Sequence, residues 1–166
     1  MAERKLAKKL GGPIPGRPVA PNNIKLFKAC GAILLANDTR RSLFLLRDND
    51  THKDTWGLVG GKVENKETVM QALNREILEE VGVAVDLIKT IPLELFRSDD
   101  GKFEYHTFIC LIEEEFIPKL SDEHKGYCWC QVDSFPKPLH PGLWSSLNND
   151  DIQQKLNTLK DILEIA

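Results

Sequence analysis

The chain is predicted to fold as an α/β domain with a mixed β-sheet packed between helices. Three observations carry that expectation. Apolar, β-branched runs bounded by turn residues stand both before and after a helix-period segment near residues 67–81. A second helix-period segment, Ile152, Leu156, Leu159 and Leu163, lies at the C-terminal end of the sequence. The resulting order is strands, helix, strands, helix, and not the regular βαβ alternation of a purely parallel sheet. With 166 residues, 42% hydrophobic and 28% charged, the chain has the size and balance of one globular domain with a sizeable core.

Residues 1–24 open with Arg4, Lys5, Lys8 and Lys9 and continue through Gly11, Gly12, Pro13, Pro15, Gly16, Pro18 and Pro21. Such a segment cannot bury a core, so a flexible basic Pro/Gly-rich arm is expected over 1–24 and the folded domain over 25–166. The cations of the arm could follow an RNA backbone, although a solubilising tail is the plainer reading.

Leu26 to Ala36 reads as a buried strand and Ser42 to Arg47 as its neighbour, with Asn37, Asp38 and Thr39 supplying the turn. A short strand is expected at Trp56 to Val59, then a loop containing Gly60 and Gly61, which tolerate backbone angles closed to other residues. The helix from about Glu67 to Val81 places Val69, Leu73 and Ile77 toward the sheet, and Gly82 is its stop signal. Strands follow over Ala84 to Phe96, where Pro92 marks a bend or an edge, over Phe103 to Ile112, and near Gly126 to Val132. A Pro-rich connector, Phe135 to Pro141, leads to the last helix, capped by Asn149 or Asp150.

The chemistry concentrates at Gly61 to Val83, GKVENKETVMQALNREILEEVGV. Residues three and four apart share a helix face, so the carboxylates of Glu76, Glu79 and Glu80 gather within about one turn. Unless a cation sits among them, repulsion at this range raises the pKa of at least one. An all-oxygen set suits a hard divalent ion, Mg²⁺ or Mn²⁺, that keeps waters and phosphate oxygens as further ligands.

The same residues resemble the Nudix box at every defined position: Gly61, Glu67, Arg75, Glu76, Ile77, Glu79, Glu80, Gly82 and Val83. The resemblance covers 23 residues strictly and extends more weakly over about 26–133. It implies the α/β/α sandwich of that family and Mg²⁺- or Mn²⁺-dependent hydrolysis of a pyrophosphate bond in a nucleoside diphosphate derivative. It also implies Glu79, Glu80 and the Gly60 carbonyl as metal ligands, and Glu76 as ligand, water-orienting group or base. Glu67 is then a loop brace or a ligand to a second metal. Arg75 stays charged at neutral pH and cannot be a base, so pairing with a box carboxylate is its expected part. Val59 stands where many members of the family have proline, a departure that bears on loop stiffness and subfamily more than on the metal ligands.

Glu123-His124, two residues, Tyr127, one residue, Trp129 resembles a segment of the diadenosine tetraphosphate hydrolases within the family. It makes Glu123 the candidate further carboxylate and Tyr127 and Trp129 candidate substrate contacts; Arg47 is a further candidate contact outside that segment. A dinucleoside polyphosphate is accordingly the first substrate expected. ADP-ribose or a nucleotide sugar, a nucleoside triphosphate and an RNA 5′ end follow. The reading of another class is a non-catalytic nucleotide sensor, against which the full set of box carboxylates argues.

The net charge of −3 gives no global argument for nucleic acid or membrane. No apolar run approaches the ~20 residues a bilayer-crossing helix needs, and no secretory signal is expected. Cys30, Cys110, Cys128 and Cys130 are too sparse for a disulfide scaffold and read as reduced, mostly buried thiols of a cytoplasmic protein. Cys128, Cys130 and His124 lack the second pair a zinc finger needs. The sequence leaves monomer and homodimer open.

Overall fold

The computed structural model describes residues 25–131 and 133–165. The elements are β1 (Phe27–Ala36), β2 (Ser42–Arg47), β3 (Trp56–Gly57), β4 (Val59–Lys62), α1 (Val69–Val81), β5 (Lys89–Arg97), β6 (Phe103–Ile112), β7 (His124–Cys130), α2 (Pro141–Leu147) and α3 (Asp150–Ile165). Seven strands form one sheet in the order β3-β2-β1-β6-β5, with β4 also paired to β1 and β7 to β2. The β1–β6 pairing is parallel from Phe27↔Phe103 to Ala36↔Ile112, and the other pairings are antiparallel. The sheet is therefore mixed, as the element order predicts.

Alternation along β1 divides the core. Cys30, Ala32 and Leu34 pack with Leu43, Leu45 and Cys110 beneath Leu73 and Ile77 of α1. On the other face, Ile33, Leu35, Phe44, Ile109 and Leu111 pack beneath Leu143 and Leu147 of α2 and Ile152 and Leu156 of α3. Helices thus cover both faces, giving an α/β/α sandwich. The four cysteines are free thiols, with Cys30 and Cys110 buried and Cys128 and Cys130 half-buried.

Several boundaries move. β5 begins at Lys89 and not at Ala84, and β7 spans His124–Cys130 where a strand over Gly126 to Val132 is expected. β5 ends the strand path, in keeping with Pro92, and its register shifts between Pro92 and Glu94. The Pro-rich connector ends in a short helix that the sequence reading missed: His140 caps α2 and Pro141 occupies its first turn. Asn149 Oδ1 accepts from the amides of Asp151 (3.0 Å) and Ile152 (3.2 Å), the cap expected for α3. The arm expected over 1–24 lies outside the described residues. Among those residues no helix is long and apolar enough to cross a membrane.

Candidate active site

Reciprocal capping fixes where α1 starts. Thr68 Oγ1 accepts from the Gln71 amide (3.1 Å), and Gln71 Oε1 accepts from the Thr68 amide (2.9 Å). Gly82, at φ 66°, ends the helix by donating its amide to the Leu78 carbonyl. Between these ends, Leu73, Glu76, Ile77 and Glu80 fall on the buried face. Glu79, three residues beyond Glu76, projects to the side with 58% of its side chain exposed.

The register of β4 on β1 sets Gly60 opposite Gly31 and Gly61 opposite Cys30. Neither Gly60 nor Gly61 is among the positive-φ residues, contrary to the conformational role expected for them. Their need for glycine is spatial. A Cβ on Gly60 would overlap the Cys30 carbonyl, and one on Gly61 would overlap the Glu76 carboxylate. The bare Gly61 lets Glu76 approach, the bare Gly60 lets β4 lie close on β1, and Gly60 N–H donates to Glu80 Oε2 at 3.1 Å.

Glu80 is only 4% exposed, and burial pushes its carboxyl up to about 8, opposed by the Gly60 amide and aided by the charges of Glu76 and Glu123. Burial also raises the Glu76 carboxyl, with Arg75 pulling the other way. Arg75 knits the neighbouring acids together. Its Nε donates to Glu67 Oε1 (2.7 Å), its Nη1 to Glu76 Oε1 (2.9 Å) and Glu79 Oε2 (3.2 Å), and its Nη2 to Glu67 Oε2 (3.1 Å) and the Lys62 carbonyl (2.9 Å). Glu67 also accepts from the Glu64 amide (2.9 Å), which ties the loop to the helix start. Its carboxyl is held low, first by Arg75 and then by that amide.

The remaining candidates divide. Glu123 lies close enough for its charge to raise both Glu76 and Glu80. Arg47 joins the wall of a cavity beside Gly60 and Gly61, its guanidinium donating to the Thr51 carbonyl (3.1 and 3.2 Å). Tyr127 and Trp129 pair with Leu45 and Leu43 and so point to the α1 face, away from that cavity. Trp129 stacks edge-on with Phe116, and its indole N–H donates to the Phe116 carbonyl at 3.1 Å. Trp129 is thus committed to packing, the commoner fate of a strand aromatic.

The cavity measures about 440 Å³ and sits on the α2 side of the sheet. Its walls include Leu58, Phe96, Phe103, Tyr105 and Leu143, with Arg47, Glu94, Thr107 and His140 as polar points. His140 Nδ1 accepts from the Gly142 amide (3.1 Å), and burial, then the charge of Arg47, pushes the imidazole down to about 4. His140 is therefore neutral at pH 7 with its proton on Nε2. Sequence reading reached none of these walls except Arg47. The available signals were Pro92, which announces an irregular β5, and the His140-Pro141 pair at a helix start.

Gly60 and Gly61 line part of the cavity, and the carboxylates of Glu80 and Glu76 contact those two glycines. Among the described residues, no three acids, histidines or cysteines surround one point as they stand; Arg75 bridges Glu76 and Glu79. The donor set nonetheless fits a hard divalent cation. Its donors are oxygens, and the buried Glu80 carboxyl is stable only with a proton or a cation beside it.

Residues 25–149 match the family model described as NUDIX domain. The chain is similar to the dihydroneopterin triphosphate diphosphatase of Haemophilus influenzae, 34% identical over 58% of this chain and 69% of that protein. It is also similar to the nucleoside triphosphatase NudI of Salmonella arizonae, 33% identical over 61% of this chain and 80% of that one. Among solved structures, a C. elegans Ap4A hydrolase binary complex superposes with a TM-score of 0.62 at 19% identity, over 80% of this chain and 98% of the other. At that identity the likeness shows the fold.

Proposed function

The chain belongs to the Nudix family and is a hydrolase of phosphoric anhydrides, and from that premise we propose that it cleaves a nucleoside triphosphate or a close analogue to the monophosphate and pyrophosphate. One observation carries this reading: a ring-sized cavity of about 440 Å³ is lined by the two glycines that Glu80 and Glu76 touch. A ring seated against Phe96 and Tyr105 would send its phosphates across Gly60 and Gly61 toward Glu76, Glu79 and Glu80. The names of both relatives, each a triphosphate hydrolase, support the same class.

Glu79, Glu80 and Glu76, with the Gly60 carbonyl, would hold Mg²⁺, or Mn²⁺ in its place. Bound there, the cation offsets charge on the phosphate oxygens and makes the attacking water more acidic. Arg75 positions Glu76 and Glu79, and Glu67 anchors Arg75 in turn. Glu123 is assigned as the further carboxylate that accepts a proton from water. Arg47, on the cavity wall, would place positive charge beside the departing pyrophosphate. Neutral His140 offers Nε2–H to the ring.

The test incubates the full chain and Mg²⁺ with a panel of nucleoside triphosphates and separates the products. Monophosphate and pyrophosphate in equal amounts are expected, abolished by chelator. Orthophosphate as the product, or no turnover, overturns the reading. A dinucleoside polyphosphate is the second reading, supported by the resemblance of the Glu123 to Trp129 segment to the diadenosine tetraphosphate hydrolases. Cleavage of diadenosine tetraphosphate at a higher kcat/KM than every triphosphate would establish it instead.

A further inference from the structure

β5 carries a polar side chain that the reaction does not use. Ile91 pairs with Ile109 on the cavity side of the sheet. Strict alternation would then turn Glu94 to the opposite face. The ladder is irregular between Pro92 and Glu94, where proline has no N–H to give, and Glu94 pairs with Thr107 and Phe96 with Tyr105. Thr107 and Tyr105 line the cavity, so the irregularity brings Glu94 and Phe96 onto its wall. Glu94 Oε2 is shielded from water and takes no hydrogen bond among the described residues. A carboxylate oxygen left without a donor is costly, and the Glu94 side chain stands on the wall of a cavity sized for a ring.

We propose that Glu94 is the specificity-determining residue of the ring site, accepting two N–H bonds from the 2-amino-4-oxopyrimidine edge that guanine and pterin share. An ionised carboxylate only accepts, through two oxygens, and so matches two adjacent donors. Guanine and pterin present a ring N–H beside an amino group. Adenine and cytosine set a ring acceptor beside their amino group, and uracil flanks its one N–H with carbonyls. Each of the latter turns a lone pair toward Glu94. The pairing also leaves the aromatic faces of Phe96, Phe103 and Tyr105 to the ring plane. The proposal rests on the reading of the cavity as the ring site.

Kinetics on the full chain with Mg²⁺ test it, using GTP, dihydroneopterin triphosphate, ITP, ATP and UTP. The first two should exceed ATP and UTP in kcat/KM by about tenfold or more, with ITP, which lacks the amino group, between them. The ratio of GTP to the pterin substrate tells which of the two rings fits better. Glu94→Gln keeps the volume but puts a donor where an acceptor stood. It should lower kcat/KM for GTP and the pterin about tenfold, through KM with kcat within about twofold, and raise it for ATP, whose ring acceptor beside an amino group matches the amide. An equal loss on every substrate, or no loss on any, overturns the proposal. A second arm measures calorimetric binding of GMP, IMP and AMP to the wild type and to Glu94→Gln, without turnover. GMP should bind the wild type about tenfold more tightly than AMP, and equal affinities overturn the proposal even if the variant does not fold. Ring-selective binding without cleavage would leave Glu94 standing and remove the hydrolytic reading. Cleavage without any dependence on Glu94 would do the reverse.

Discussion

On the α1 face, the groups that meet are neighbours in the chain: Glu76, Glu79 and Glu80 share one helix, Arg75 pairs with Glu76 and Glu79, and Glu67 holds Arg75 from within the same stretch. On the opposite face, the cavity draws Arg47 from β2, Glu94 and Phe96 from β5, Tyr105 from β6 and His140 from the turn before α2. On the proposed function, the contrast follows from what each half would recognise. Phosphate and metal are bound by closely spaced charges, which a single helix turn supplies. A ring needs walls on several sides, and only tertiary packing brings those together.

If the α1 half carries the chemistry, its removal should produce the largest effect. Glu80→Gln and Glu79→Gln should each lower kcat by about a hundredfold or more under saturating Mg²⁺, measured by product release. The folds should persist by circular dichroism, since Glu79 is largely exposed and glutamine at position 80 can still accept from Gly60 N–H. Near wild-type rates in both variants would dissolve the distinction between the two faces.

The ease of reading each half from the sequence follows the same division. The helix period, the Gly82 stop and the spacing of the acids were all local, so the α1 half was visible before any packing was known. What the local pattern missed there was burial: Glu80 is a nearly inaccessible acid and not a surface carboxylate. It also mistook the reason for Gly60 and Gly61, because the overlap partners, Cys30 and Glu76, lie far away in sequence. On the cavity side, Pro92 signalled irregularity, but the register of β6 decides which residue turns inward. Tyr127 and Trp129 showed the right period and the wrong face, since alternation fixes that two residues share a side and not which side it is.

The buried acid gives the next prediction. The Glu80 carboxyl, ordinarily at 4.5, sits at about 8 in the folded metal-free protein. Between those values the unfolded chain binds fewer protons than the folded one, so metal-free stability falls as pH rises. The fall should be on the order of a few kcal/mol, with Glu76 acting in the same direction. A divalent cation takes the place of the proton, so the rise in Tm on adding Mg²⁺ should be small near pH 5 and large near pH 8.5. Glu80→Gln should flatten both trends in melts with chelator and with Mg²⁺. A Tm increment independent of pH would mean that the cation binds elsewhere.

The cavity half should respond differently to loss. Phe96 lines the cavity yet is 49% exposed, so it contributes little to the core and has a face available for a ring. Phe96→Ala should raise KM about tenfold, as expected for a lost stacking contact, with kcat nearly unchanged. The stability cost should stay below about 1 kcal/mol. A fall in kcat with constant KM would place Phe96 in the chemistry and erase the division between the faces.

The smallest effect is expected at Trp129, where the two faces give opposite answers. A substrate-stacking tryptophan would show itself in KM. Trp129 instead packs edge-on against Phe116 and donates its indole N–H to the Phe116 carbonyl, on the side of the sheet away from the cavity. Trp129→Phe keeps most of the packing and removes the donor, leaving a carbonyl short of one bond. The loss should be about 1 kcal/mol in denaturant melts. KM for any triphosphate should stay within error, because nothing on the cavity wall moves. A KM change at Trp129 as large as that at Phe96 would put the ring on the α1 face and transfer the recognition role to β7.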